Sequence, residues 1–302
     1  KKYQSLENHF EFIPCENLFK PKKIPVLFSE ENLLRKLDEK SIEIEKLLLQ
    51  SKNNYEAVLF QKLAYSFGLK VNAEIYQNIA ENIDFKVIQK ISQNQFQLES
   101  LLFGKGNLLE KETEFNKKWI TEFNFIKTKF KISDEVFPVK FLRLMPPSFP
   151  TIRLSQLANL YHLQPNLFSK ILNAKNIQDL KSFFKDVKTS EFWENHYTFE
   201  KSSEEKTEKF LSDDFVEILL INAVLPVVYT YFKHLNSEKI EHILDFYKNL
   251  KPEKNSIISQ WKKLGLKLNS ALETQAFLFQ HKHFCSEKNC LNCSIGFQLL
   301  KS

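Results

Sequence analysis

Ile218-Leu219-Leu220-Ile221-Asn222-Ala223-Val224-Leu225-Pro226-Val227-Val228-Tyr229-Thr230-Tyr231-Phe232 is the long apolar stretch of the chain. It is shorter than the roughly 20 residues a helix needs to cross a bilayer, and Asn222 and Pro226 interrupt it. Asp213-Asp214 precede it and can cap a helix. The stretch therefore reads as a buried helix, kinked at Pro226, of a protein with no membrane span.

Outward from it the pattern is helical in both directions. Leu33, Leu34, Leu37, Ile44, Leu47 and Leu48 recur at helical spacing behind Glu30-Glu31. Val58, Leu59, Leu63 and Phe67 continue it, with Gly68 expected as the residue closing that helix. Ile75, Ile79, Ile83, Val87 and Ile91 give two short helices, Phe96 to Phe103 another, and Phe115, Trp119, Ile120, Phe123 and Ile126 a long one. Further helices fit 151–160, 167–187, 191–195, 213–234, 237–248, 254–264, 270–284 and 291–300. No window alternates as a strand would, and no repeat of fixed period is visible. Pro14, Pro21 and Pro25 make residues 1–28 an extended arm. Pro138, Pro146, Pro147 and Pro150 mark 133–150 as the place for a functional loop, and the charged Lys201–Lys209 reads as a mobile loop. The fold class is all-α: a multi-helical bundle or array with an N-terminal arm and a C-terminal Cys knuckle. The expected divisions are 1–28, 29–150 and 151–302.

Composition narrows the function classes. Only 5 Gly among 302 residues leave little for a Rossmann turn, a phosphate-cradling loop or a turn-rich sandwich, while 29 Phe point to aromatic packing between helices. Gly104-Lys105-Gly106 is too short for a phosphate loop and follows a helix. Lys+Arg (43) exceed Asp+Glu (37) by 43 − 37 = 6, which permits a polyanionic partner such as DNA or RNA without demanding one. The chain opens Lys1-Lys2 with no signal-peptide pattern and reads as a piece of a longer protein.

Cys285-x4-Cys290-x2-Cys293 carries the sharpest chemistry. Three thiols within nine residues among polar neighbours suit a metal better than core packing, and a reducing, cytoplasmic setting better than a disulfide framework. A tetrahedral site then lacks one ligand, for which Cys15, His281 and His283 compete. Zn²⁺ is the expected ion; a 4Fe–4S cluster fits the same spacing. A second candidate is an anion or nucleic-acid contact at Arg143, Arg153 and Gln156, which bracket the proline-rich loop; pinning of that loop to the bundle is the plainer reading. Trp193-x2-His196-Tyr197-x-Phe199 reads as packing around a satisfied histidine, and Asn222 as bonding a nearby backbone group. No Ser/His/Asp order, Walker-type loop, H-E-x-x-H or paired carboxylates single out an enzyme.

Several segments together resemble the family called domain of unknown function 2851, found in Bacteroidetes and related bacteria. They are Ile13-Pro14-Cys15, Ser66-Phe67-Gly68-Leu69-Lys70-Val71-Asn72, Glu99-Ser100-Leu101-Leu102-Phe103-Gly104, Phe149-Pro150-Thr151-Ile152-Arg153-Leu154-Ser155-Gln156-Leu157-Ala158, Trp193-x2-His196-Tyr197, Ile221-Asn222-x-Val224-x-Pro226 and Cys290-Leu291-x-Cys293-x-Ile295-Gly296. Met145 and Ser148 depart from the pattern, where an Arg and an Asn are expected. The resemblance implies that this chain is the helical C-terminal part of a longer bacterial protein, whose missing N-terminal β-rich domain is similar to a PD-(D/E)XK nuclease core. It also makes Cys15 the preferred fourth ligand, similar in arrangement to the iron–sulfur staple of some nucleases. The expected function is an accessory helical domain in nucleic-acid processing with a Cys-ligated structural metal. The alternatives are a structural or protein-interaction module with zinc and no nucleic-acid role, and an iron–sulfur protein.

Overall fold

The computed structural model describes residues 12–25, 27–236 and 238–300. Among them the protein is helical throughout, with two isolated β-bridges, Lys188 to Phe210 and His196 to Ser202, in place of any sheet. Residues 1–11 of the expected arm lie outside the described residues; from Phe12 onward the arm is irregular apart from short 3₁₀ turns at Glu16–Leu18 and Pro21–Lys23. The chain groups into two compact units, Lys1–Ile42 with Ser237–Ser302, and Glu43–Asn236. This division differs from the three consecutive segments expected above, because the chain's beginning packs against its end. The boundary between the units falls inside α1 (Phe28–Gln50), whose Leu33, Leu37, Ile44, Leu47 and Leu48 are buried as their spacing requires, while Leu34 is half-buried.

The unit Glu43–Asn236 is built around α2 (Tyr55–Phe67). Asn54 caps it by accepting from the Ala57 N–H at 3.2 Å. Nearly every side chain of α2 is buried, as expected of a helix surrounded by others. It packs against α3 (Leu69–Glu81), α4 (Phe85–Ile91), α7 (Pro150–Leu163), α8 (Leu167–Ile171) and the long apolar helix, and α5 (Gln95–Lys105) lies between α6 (Lys117–Phe130) and α7. The expected helix 167–187 is broken: Asn176 caps a separate α9 (Ile177–Ser182), accepting from the Gln178 and Asp179 N–H groups. Residues Glu191–Glu194 form only a 3₁₀ turn.

The apolar stretch lies in one continuous helix, Asp213–His234, composed of α10 (Asp213–Leu219), a π-helical turn Leu220–Val224 and α11 (Leu225–His234). At 22 residues it is long and apolar enough to cross a membrane, which corrects the length read from the apolar run alone. Its most apolar window is 83% buried inside the protein, so it is a core helix. Its cap is Ser212, accepting from the Phe215 N–H at 3.3 Å; Asp213 and Asp214 occupy the first turn, where they meet the helix dipole. The π turn explains Pro226. The Leu225 N–H bonds the Leu220 carbonyl, five residues back, and the extra residue takes up the missing donor and the steric demand of the proline ring. Asn222 bonds the Ile218 carbonyl at 3.2 Å.

The proline-rich segment is strapped down rather than free. Asn72, buried on α3, donates to the Lys140 carbonyl and accepts the Lys140 N–H, both at 2.8 Å. Lys105 buries its stem and donates its ammonium to the Ser133 carbonyl at 3.2 Å and to the Glu135 carbonyl. The charged segment 201–209 is likewise tied in, through Thr207 N–H to the Glu194 carbonyl at 3.0 Å and Lys209 Nζ to the same carbonyl at 2.7 Å.

A buried carboxyl stands where α5, α6 and α7 meet. Glu99 is fully buried and accepts from Ser155 Oγ, from Ser190 Oγ at 3.0 Å and from Trp119 Nε1 at 3.3 Å. Burial pushes its carboxyl above the ordinary range, the three donors pulling the other way. A carboxyl whose folded pKa is raised contributes stability that is complete below the unfolded value of 4.5 and is lost as pH climbs through the folded value. Glu99→Gln is therefore expected to flatten the fall in melting temperature between pH 5 and pH 8. At pH 8 it should raise it by roughly 2–4 °C, which is what about 1 kcal/mol amounts to in a unit of this size. A variant whose melting falls with pH as steeply as wild type would refute the assignment.

Candidate metal centre

All four cysteines belong to the unit Lys1–Ile42 with Ser237–Ser302, whose remaining helices are α12 (Ile240–Asn249), α13 (Ser256–Lys263), α14 (Ala271–Gln280) and α15 (Ser294–Leu300). Ser270 and Glu273 start α14 with a reciprocal capping box. At its other end the helix loosens into a π turn, His281–Cys285, which carries Cys285 inward. Lys288 takes a left-handed φ of 52° and reverses the chain, and its N–H bonds the Cys285 carbonyl at 3.2 Å. Cys290 opens a 3₁₀ turn, and Cys293 immediately precedes α15. Thus the expected helices over 270–284 and 291–300 are both real but end and begin at the cysteines.

Cys15 arrives from the arm because its neighbours are apolar. Ile13 is buried, Phe12 packs edge-on to Trp261 with ring centres 5.3 Å apart, and Phe19 lies 5.6 Å from the same ring. Trp261, fully buried on α13, also meets Phe277 of α14 at 4.9 Å, so one side chain joins the arm to two helices. These residues form a core with Phe28, Ile258, Leu268, Cys285, Cys293 and Ile295.

Cys15, Cys285, Cys290 and Cys293 line a single void, with Trp261, Gln280, Phe284 and Ile295 among its other walls. It leaves about 10 Å³ open to the centre of a water-sized sphere, space for one small occupant. Cys285 is 9% exposed and Cys293 6%, while Cys15 and Cys290 are half-buried. Two N–H donors face Cys293 Sγ: Gln280 Nε2 at 2.9 Å and the Gly296 backbone at 3.4 Å. A Cβ at position 296 would lie 2.5 Å from the Cys290 carbonyl oxygen, so glycine is what lets α15 close onto the knuckle. All four thiols are free. Burial pushes Cys285 up to about 12 and raises Cys15, with the neighbouring sulfurs adding to both. Among the described residues no group of three or more His, Cys, Asp or Glu is drawn together as a ready coordination shell.

The competing histidines make contacts away from the void. His281 stacks on Phe12 at 4.8 Å, and burial holds its imidazole below the usual range. The His283 ring is tilted against that of Phe279, centres 4.4 Å apart, with Nε2 3.0 Å from Glu39 Oε1. Neither is among the residues lining the void.

The second candidate set takes a different form. The Arg153 guanidinium lies 3.8 Å from the centre of the Phe215 ring and donates to Gln156 Oε1 at 3.0 Å, while Gln156 donates to the Lys209 carbonyl at 2.9 Å. Burial pulls the Arg153 guanidinium down to about 10. Arg143 is exposed, with a left-handed φ of 64°. Arg153 and Gln156 thus make internal contacts between α7 and its neighbours. Trp193 is fully buried and His196 nearly so, stacked on Phe192 at 4.1 Å with Nδ1 3.0 Å from the Phe192 carbonyl. Sequence reasoning missed Gln280 and the Glu99 hub. An amide or a carboxyl on a helix carries no mark of burial until its neighbours in space are known.

No curated protein and no solved structure matches the chain. A family does: its match runs over residues 1–256, taking in Cys15 and stopping before the three C-terminal cysteines. By that match the chain belongs to the family described as Protein of unknown function (DUF2851).

Proposed function

We propose that Cys15, Cys285, Cys290 and Cys293 hold one metal ion, Zn²⁺ by preference, and that the chain serves its protein as a helical module clasped by this ion. The observation that carries the reading is the single void lined by all four cysteines, one from the arm and three from a segment some 270 positions later in sequence. Four thiolates form a closed tetrahedral shell with no open position, so the ion would supply cross-linking and no catalysis. A void with room for one small occupant favours a single ion over a cube of four irons and four sulfides. The nucleic-acid role has less behind it: the net charge of +6 and the family resemblance remain, while Arg153 makes contacts inside the bundle.

Metal analysis with an absorbance spectrum tests the reading. About one zinc per chain and no colour are expected. A brown protein with visible absorbance replaces zinc by a cluster, and a metal-free protein overturns both. Cys15→Ser is expected to lower metal content and loosen both ends of the chain together. If metal content and melting temperature stay as in wild type, the fourth place passes to His281 or His283.

A further inference from the structure

Gln280 is the last residue of α14, and its side chain is 1% exposed in an otherwise apolar wall of the cysteine void. Burying a primary amide is costly unless its donors and acceptor are all engaged. Here they are engaged in an unusual way. Nε2 points to Cys293 Sγ at 2.9 Å and to Cys285 Sγ at 3.8 Å. Oε1 accepts from Nδ2 of Asn32, itself buried on α1, at 3.4 Å. A neutral thiol is a poor acceptor and would repay little of that burial; a thiolate is a strong one. The amide's donors are aimed at the two sulfurs.

We infer that Gln280 is the outer-sphere positioning residue of the four-cysteine centre: its amide holds Cys285 and Cys293 by N–H···S bonds, and Asn32 holds the amide. The inference rests on the metal reading above and deepens it. A Cys₄ shell around a divalent ion carries net charge 2 − 4 = −2, and burying that charge among Trp261, Phe284 and Ile295 calls for donors aimed at sulfur. Gln280 and the Gly296 N–H supply them from opposite sides in sequence, one before and one after the knuckle. Asn32 extends the chain of contacts from the knuckle into α1, so three separate segments set the position of two sulfurs.

The test uses the full chain, loaded with Zn²⁺ for affinity and with Co²⁺ for its spectrum. Gln280→Met keeps length and apolar contact but removes the donors. Competition against a chromophoric chelator is expected to show Zn²⁺ held 10–100-fold more weakly than in wild type. In the Co²⁺ form, loss of N–H···S bonds raises the sulfur lone-pair energy, so the thiolate-to-cobalt charge-transfer band should move to lower energy. A residue that only fills space would leave that band where it is. Asn32→Ala leaves Gln280 in place without its anchor; it is expected to move affinity and band in the same directions by less, and it serves if Gln280→Met does not fold. Wild-type affinity and an unshifted band in either variant overturn the inference and leave the metal reading standing. Wild-type protein that binds neither ion overturns the metal reading itself, and this inference with it.

Discussion

If the four cysteines hold a metal as proposed, stripping it with a strong chelator is expected to release both chain ends at once, with the arm residues 12–19 and the segment 281–300 becoming protease-sensitive at the same rate. The structural reason is that Cys15 sits on a short arm held by few side chains, chiefly Phe12, Ile13 and Phe19 against Trp261. The knuckle between α14 and α15 has no regular structure beyond a π turn and a 3₁₀ turn. Apparent binding free energies of structural zinc sites are about 10–16 kcal/mol, against about 5–15 kcal/mol for the stability of a typical domain. Loss of the ion should therefore exceed any single side-chain change in this unit. Emission from Trp261, which lines the void, should shift to the red as water enters. Cleavage sites within 43–236 serve as the internal control, since that unit holds none of the four cysteines. Ends that stay protected under chelation, in protein shown to contain metal beforehand, would mean that packing around Trp261 alone holds them.

Gly68→Ala is expected to produce the largest loss in the other unit, about 3 kcal/mol or more, seen as a drop in the denaturant midpoint. Gly68 closes α2 and joins it to α3, as the sequence suggested; its backbone is right-handed at φ −68°, and it is Leu69 that takes φ 51°. What position 68 lacks is space. A Cβ there would stand 2.4 Å from the Asn72 carbonyl oxygen, 2.5 Å from its carbon and 2.7 Å from the Ala73 nitrogen. All three are backbone atoms of the first turn of α3, so nothing flexible can yield. Relieving the clash would displace Asn72, whose side chain pins Lys140 through two hydrogen bonds, so the proline-rich segment should become easier to cleave in the same variant. A variant with the wild-type midpoint would show that α3 can shift at little cost.

Much of the helical framework was legible because helix formation is a local affair. The spacing of Leu33, Leu34, Leu37, Ile44, Leu47 and Leu48 marks one face of α1, and all but the half-buried Leu34 are buried. Helix ends were less legible. Ser212, not Asp213 or Asp214, caps the long helix, since a cap depends on which side chain finds the free N–H. The π turn before Pro226 and the one carrying Cys285 leave no periodic trace, because one inserted residue shifts the pattern by less than neighbouring positions scatter.

For the centre, sequence by itself determined that three thiols, Cys285, Cys290 and Cys293, lie within nine consecutive residues, a spacing that lets them face one site. Only the tertiary structure decided that Cys15 joins them and that Gln280 faces their sulfurs. Contacts between residues some 270 positions apart are set by burial of Ile13, Trp261 and Ile295 in a common core, a collective property no local spacing encodes.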